Sequence, residues 1–218
     1  GGAIYINGGS VTLDGITVQG SSALRSGGGI YFNGDSFELS NSQILNNDAS
    51  RWNEYSFGGG VFAEASSVIF TDNTISNNSS LSYNDNGNRS AHGGGVYVNG
   101  ASSLFTFTGN TISDNHSIST HYSFGGGVFA NGASSSVIFT DNTISNNDAT
   151  SNVYSTGGGV TAQTSSSVIF TDNTISNNNS ISTTWQASGG GVHADSDVIT
   201  FTDNTIDDNT ASSVQASG

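Results

Sequence analysis

The chain is built from one unit written seven times. Glycine-rich starts recur at Gly1, Gly27, Gly58, Gly93, Gly125, Gly157 and Gly189, and the intervals between them run from 26 to 35 residues. The unit Gly125–Thr156 reads GGGVFANGASSSVIFTDNTISNNDATSNVYST. In it GGGVFA and SVIFT alternate with a period of two, and a short third piece, TIS, follows. Each is bounded by Gly, Asn, Asp or Ser turn residues, and no helical period of 3.6 occurs. Strands this short cannot bury an apolar face within one unit. Stacked in register, the copies bury a continuous core.

Three strands and three connections per unit predict an all-β chain, a right-handed parallel β-helix (a solenoid) of about seven coils. It forms one domain over residues 1–218, with the hand taken from the general rule for parallel crossovers. At the inter-strand spacing the rod is roughly 34 Å long. Aligned by unit, the first strand points Ile4, Ile30, Val61, Val96, Val128, Val160 and Val192 inward. The second contributes Leu13, Leu39, Phe70, Phe107, Phe139, Phe170 and Phe201, and the third Val18, Ile44, Ile75, Ile112, Ile144, Ile175 and Ile206. Three residues past the Phe column stands an Asn column, Asn73, Asn110, Asn142, Asn173 and Asn204, which Ser42 and Ile16 interrupt at the first two coils. An amide can donate to one neighbour and accept from the other, so these side chains are expected to form a structural ladder.

The GGA at Gly1–Ala3, the GGG variants of later coils, and F-x-x-N at Phe70–Asn73, Phe107–Asn110, Phe139–Asn142, Phe170–Asn173 and Phe201–Asn204 together resemble the paired GGA[ILV]/FxxN repeats of chlamydial polymorphic membrane proteins. The resemblance spans essentially the whole chain. It implies a β-helical passenger at a cell surface, exported by an autotransporter route and used in adhesion.

Composition narrows the function. Only three residues are basic (Arg25, Arg51 and Arg89) against 17 Asp and Glu, for a net charge of −14, which excludes a phosphate-binding footprint and hence nucleic acid. There is no Cys, and no apolar run nears the ~20 residues of a transmembrane helix. A hydrophobic content of 33% would suit disorder if it were scattered, but here it falls in fixed columns. Few charges with many Ser, Thr, Asn and Gly suit an extracellular or cell-surface protein.

No nucleophile elbow, zinc-protease motif or phosphate loop is present, and the acidic pair Asp207-Asp208 has no basic partner nearby in sequence, so the chain reads as non-catalytic. Catalytic and resident-metal residues are expected to be none. Calcium is the cofactor left open, because Asp141, Asp172 and Asp203 align in consecutive coils; turn capping is the alternative for them.

Candidate contacts are the outward aromatic stripe Tyr5, Tyr31, Phe62, Tyr97 and Phe129 and the variable loops before each glycine triplet, which hold Trp52, Tyr55, Tyr83, Tyr122, Tyr154 and Trp185. The stripe is expected to be exposed, then covered by loops, paired with another chain, or used as a sugar platform. Five N-x-[ST] sequons (Asn77, Asn78, Asn88, Asn115, Asn178) fall at or in these loops.

Thr74, Thr111, Thr143, Thr174 and Thr205, with Ser76, Ser113, Ser145 and Ser176 two residues on from the first four, form hydroxyl columns that raise ice binding as a lesser reading. The join of Gln215–Gly218 to Gly1–Ile4 matches the internal QASGGGV, which suggests coils continuing in a longer chain or by end-to-end self-association. The leading expectation is a structural or adhesive surface β-helix, with a glycan-binding module (host or matrix glycans) or a polysaccharide-active enzyme as the alternative.

Overall fold

The structure, a computed structural model, describes residues 1–83, 89–164 and 166–213. It is a stack of parallel strands in four seven-stranded sheets and one five-stranded sheet. The fourth rung shows the path. Val96–Asn99 lies in the first sheet, Leu104–Thr108 in the second, Thr111–Ser113 in the third, His116–Ser119 in the fourth and Tyr122–Phe124 in the fifth. Every rung is in register with the next, so Val61, Val96, Val128 and Val160 are direct neighbours, as are Phe70, Phe107, Phe139 and Phe170. A one-residue slip would turn every inward side chain outward, so the register is strongly specified.

The expected three strands per coil are therefore an undercount. The segments read as variable loops form most of a fourth and a fifth sheet. They escape a hydrophobic-period search because their inward positions are small, Ser or Ala: Ala49, Ser80, Ser117, Ala149 and Ser180 in the fourth sheet, and Ser56, Ala91, Ser123 and Ser155 in the fifth. These two sheets face each other across hydroxyl contacts. Ser80 Oγ donates to Ser56 Oγ at 2.9 Å, and Ser123 Oγ donates to the Ser117 carbonyl at 2.6 Å. The apolar core is confined to the first three sheets, where Phe70, Phe107, Phe139 and Phe170 stack at centroid spacings of 4.7–5.0 Å.

Two corners shape each rung. At the first, between the second and third sheets, Asn41, Asp72, Gly109, Asp141, Asp172 and Asp203 adopt left-handed φ values of 48–66°. At the second, between the third and fourth sheets, Asn46, Asn77, Asp114, Asn146, Asn177 and Asp208 do the same at 49–56°. Asn, Asp and Gly are the residues that tolerate this region. The residue after each corner turns inward, and from the third rung onward it is Asn at both corners. Asn73, Asn110, Asn142, Asn173 and Asn204 form one ladder, each Nδ2 donating to the next Oδ1 at 2.9–3.0 Å.

A second ladder, beyond the one that F-x-x-N marks, runs through Asn47, Asn78, Asn115, Asn147, Asn178 and Asn209 at the same spacing. Its members also bond strand carbonyls, as Asn115 Nδ2 does with Ile75 O at 2.9 Å. Three of the five sequon asparagines (Asn78, Asn115 and Asn178) are thus buried ladder members and not loop residues; Asn77 is exposed, and Asn88 lies outside the described residues. The sequence interruptions are filled by smaller acceptors and by backbone. Ile16 N donates to Ser42 Oγ at 3.1 Å, and Ser42 N donates to Asn73 Oδ1 at 3.0 Å.

The glycine triplet is the waist where the chain leaves the fifth sheet for the first. Gly93 has φ +60°, and a Cβ there would lie 2.1 Å from the Val96 carbonyl oxygen. A Cβ on Gly94 would lie 2.5 Å from the His116 backbone, and one on Gly95 would lie 3.0 Å from Cγ of the ladder residue Asn115. The triplet and the second ladder are two sides of one tight contact. In the last rung Val198, Ile199, Phe201 and Ile206 are exposed, and the QASG stretch at Gln215–Gly218 lies outside the described residues.

Removing one ladder amide should be costly. Asn115→Ala removes the acceptor shared by the N–H and Nδ2 of Asn78, leaving the N–H stranded and Nδ2 with only its bond to Ile44 O, and the loss is expected to be about 3 kcal/mol. Asn146→Ala, at an exposed corner one rung away, should cost about 1 kcal/mol or less through backbone strain alone. Parallel guanidinium melts of the two variants measure the difference.

Candidate functional site

The outward face of the first sheet carries two columns. Tyr5, Tyr31, Phe62, Tyr97, Phe129, Thr161 and His193 form one, and Asn7, Asn33, Glu64, Asn99, Asn131, Gln163 and Asp195 the other. The aromatic column is stacked face to face. Tyr5–Tyr31, Tyr31–Phe62 and Phe62–Tyr97 have centroids 4.8, 4.9 and 5.3 Å apart and interplanar angles of 6–15°. Both faces of Tyr31 and of Phe62 are therefore occupied by their neighbours. A row of faces for sugar stacking is not what this column presents.

Nor is the stripe exposed along its length. Phe62, Tyr97 and Phe129 are buried, beneath a layer contributed by the end of the fifth sheet. Phe57 lies 5.1 Å from Tyr97, His92 lies 5.1 Å from Phe129, and Phe124 lies 5.6 Å from Phe129. Outer faces of adjacent sheets can meet this way only if the corner between them is concave, and the left-handed glycine of each triplet makes it so. The result is a groove parallel to the stack axis, filled by aromatics in its middle rungs. Toward the later rungs its floor becomes polar: Thr156 Oγ1 and Thr161 Oγ1 are 2.9 Å apart, and Gly125 N donates to Thr161 Oγ1 at 3.0 Å.

At the early rungs the groove is open. The first coil spans only 26 residues and supplies no strand to the fifth sheet, which begins at Ser56–Phe57. Tyr5 is 64% exposed and Tyr31 only half-buried. A cleft of about 380 Å³ opens here, lined by Arg25, Tyr31, Phe57, Phe62, Glu64 and Asn99 among others, and a second, of about 430 Å³, continues it past Tyr5 and Leu24. These volumes lie in the range of small-molecule sites. A separate cleft of about 430 Å³, at the end of the first sheet in the later rungs, is lined by Asn131, Gln163, Asp195 and Asp197 among others.

The remaining sequence candidates scatter. Trp52 and Tyr83 stack obliquely, 6.0 Å apart, on the outer end of the fourth sheet. Tyr55 sits beneath the Arg89 guanidinium at 5.2 Å, and Tyr122 and Tyr154 are paired neighbours on the fifth sheet. Trp185 is exposed between Asn179–Ser182 and Gln186–Ser188. The Asp column, Asp141, Asp172 and Asp203, occupies the exposed first corner, where the left-handed backbone explains the residue type. Among the described residues no three His, Cys, Asp or Glu side chains converge as a metal cage would require. Thr74, Thr111, Thr143, Thr174 and Thr205 are in register and exposed on a strand only three residues long. No described helix is long and apolar enough to cross a membrane.

Among the titratable groups, His92, His116 and Asp148 register their surroundings through burial and hydrogen bonding. Burial pushes the His92 imidazole down to about 3, and its Nδ1 is buried without a partner among the described residues. A hydrogen bond to Asp148, 3.3 Å away, holds His116 above the usual histidine value. Burial pulls Asp148 upward, but the bonds from His116 and Asn179 outweigh it and leave its carboxyl below the ordinary range.

A family model for the right handed beta helix region matches residues 1–148 and again 82–218, two overlapping registers that together cover every rung. The chain belongs to the right-handed β-helix family. Sliding of the match along the chain is what an unbroken repeat produces, and the hand of the β-helix agrees with the crossover rule. No curated protein and no solved structure matches the chain.

The half-buried His92 ring, desolvated by the aromatics packed on it, gives this β-helix an acid-side liability. The folded state keeps the imidazole neutral while the unfolded chain takes up a proton below pH 6.5, so stability falls as pH drops from 6.5 toward about 3. The slope is at most about 1.4 kcal/mol per pH unit. His116, with its raised value, contributes in the opposite sense and is half in solvent, so the difference between wild type and His92→Phe isolates the term. His92→Phe should lose this part of the acid slope in melts run between pH 3 and 7.

Proposed function

We propose that the β-helix is a non-catalytic extracellular scaffold, an adhesin stalk or surface-fibre unit whose body is a rigid spacer and whose groove edge makes contacts. The observation that carries this reading is the pair of Asn ladders. They run through rung after rung in one register, so the body repeats a single structural solution. Most of the variation in unit length falls on the far side of the second ladder, in the fourth and fifth sheets and their connection, and the fourth to sixth rungs add only one or two residues before it, between the first and second sheets. Constant wall with variable edge is the usual division between scaffold and binding surface. The resemblance to GGA[ILV]/FxxN repeats supports surface location and adhesion in the same direction. Exposed apolar side chains in the last described rung (Val198, Ile199, Phe201, Ile206) suit contact with a second copy.

A glycan-binding module is the second reading, favoured by the open early-rung clefts. The direct test combines imaging with product analysis. Electron microscopy of the purified protein should show unbranched rods of constant width, lengthening with concentration if copies stack. Overnight incubation with a panel of neutral and acidic polysaccharides should release no new reducing ends and no unsaturated products. Compact particles with released fragments would contradict the scaffold reading.

A further inference from the structure

Both tryptophans of the chain stand in solvent, Trp52 at 63% and Trp185 at 64% exposure. They share one edge of the molecule. The fourth and fifth sheets face each other across hydroxyl contacts, so the connection between them is the narrow outer tip of the thin lobe. Trp52 ends the strand Asp48–Trp52 at this tip in the second rung. Tyr83, 39% exposed, ends Ser79–Tyr83 beside it in the third. Trp185 lies between Asn179–Ser182 and Gln186–Ser188 in the sixth. At the inter-strand spacing the row spans about 19 Å along the axis.

Backbone contacts hold the row in place. Asn53, at φ 62°, turns the chain directly after Trp52, and its N–H donates to Tyr83 O at 2.8 Å. Trp185 N donates to Ser182 Oγ at 3.3 Å. The rings are not stacked shut as those of the first sheet are. Trp52 and Tyr83 stand 6.0 Å apart at 34°, and an indole exposed to the extent of Trp52 or Trp185 keeps a face open. Around them Asn53, Asn152 and Thr183 offer exposed amides and a hydroxyl, and the Arg51 and Glu54 charges close on each other at 3.3 Å.

Size and charge select the occupant. A stable protein partner needs roughly 800 Å² on each side, more than a row one residue wide can bury. A net charge of −14 opposes an acidic polymer or an anionic membrane surface. Open aromatic faces set among uncharged hydrogen-bonding groups suit a ligand that is apolar on its flat sides and hydroxylated at its rim.

We propose that the tip row binds a neutral polysaccharide chain laid along the rod axis. Trp52 and Trp185 take the flat sides of two separated sugar rings, whose polarised C–H groups meet the negative face of the indole. Tyr83 extends the platform beside Trp52, and the amides of Asn53 and Asn152 donate to and accept from sugar hydroxyls. The inference rests on the adhesive reading above and names a ligand class for the connection at which unit length varies.

Because the chain has no other tryptophan, its intrinsic fluorescence reports the row directly. The full chain is titrated with cellohexaose, mannohexaose, chitohexaose and hexagalacturonate, and is sedimented with insoluble cellulose, mannan and chitin. The expected result is a blue shift and at least twofold less acrylamide quenching with one of the neutral hexasaccharides, and co-sedimentation with its polymer. Trp52→Ala and Trp185→Ala should each weaken that co-sedimentation at least fivefold, and Trp185→Tyr should retain most of it by keeping a ring face. Both indoles are exposed, so the variants should melt like wild type, and matched melts separate lost binding from lost fold.

Undiminished binding in the double variant Trp52→Ala, Trp185→Ala overturns the proposal, as does preference for hexagalacturonate. A blue shift that follows protein concentration alone also overturns it, by making a second copy the occupant. Absence of all binding overturns it while rods in the micrographs leave the scaffold reading standing. Binding through the row with release of shorter sugars would uphold the site and contradict the non-catalytic reading.

Discussion

The structure depends on asparagine amides that bond to each other along the axis. A corner residue in the left-handed region turns the chain sharply and aims the next side chain into the interior. A polar group buried there without partners would cost on the order of 1–3 kcal/mol. A lone Asn could not avoid that cost, but a stack can. Each Oδ1 accepts from the backbone N–H and the Nδ2 of the rung before, and each Nδ2 donates forward and to a strand carbonyl. The condition holds only if neighbouring rungs place their corners in register, so ladder and sheet register reinforce one another.

The second ladder reaches further, because it sets the waist. Its side chains fill the space that a third-glycine Cβ would need, and the second glycine approaches the fourth-sheet backbone too closely for any side chain. The waist divides each rung into an apolar lobe of three sheets and a thin Ser- and Ala-lined lobe of two. It also makes the outer corner concave, which brings Phe57, His92 and Phe124 onto Phe62, Tyr97 and Phe129. Scaffold and groove are consequences of one turn. The groove is open at the early rungs, where the first rung supplies no strand to the fifth sheet.

The sequence displayed the apolar lobe plainly, because Val, Phe and Ile columns alternate with a period of two. It displayed one ladder through F-x-x-N. The other ladder left an equally regular signal, the N-N or D-N doublets ending at Asn47, Asn78, Asn115, Asn147, Asn178 and Asn209. Against an Asn- and Ser-rich background that signal is indistinguishable from the starts of loops and from sequons. The fourth and fifth sheets were hidden for a related reason. Stretches such as HSIS and DATS bury Ser and Ala, and a search for apolar alternation is blind to them. The covering of the aromatic stripe needed three dimensions, because concavity at the triplet is a matter of backbone direction that residue spacing alone does not report.

The most direct measure of the central claim is side-chain amide hydrogen exchange, followed by NMR on uniformly 15N-labelled protein. If the ladders hold the rungs together, the Nδ2 protons of Asn110, Asn115, Asn142 and Asn147 should exchange many orders of magnitude more slowly than those of the exposed corner residues Asn77, Asn146 and Asn177. They should also be released together with the core strands on addition of denaturant. Ladder amides that exchange as fast as the corner amides in the folded protein would contradict the account.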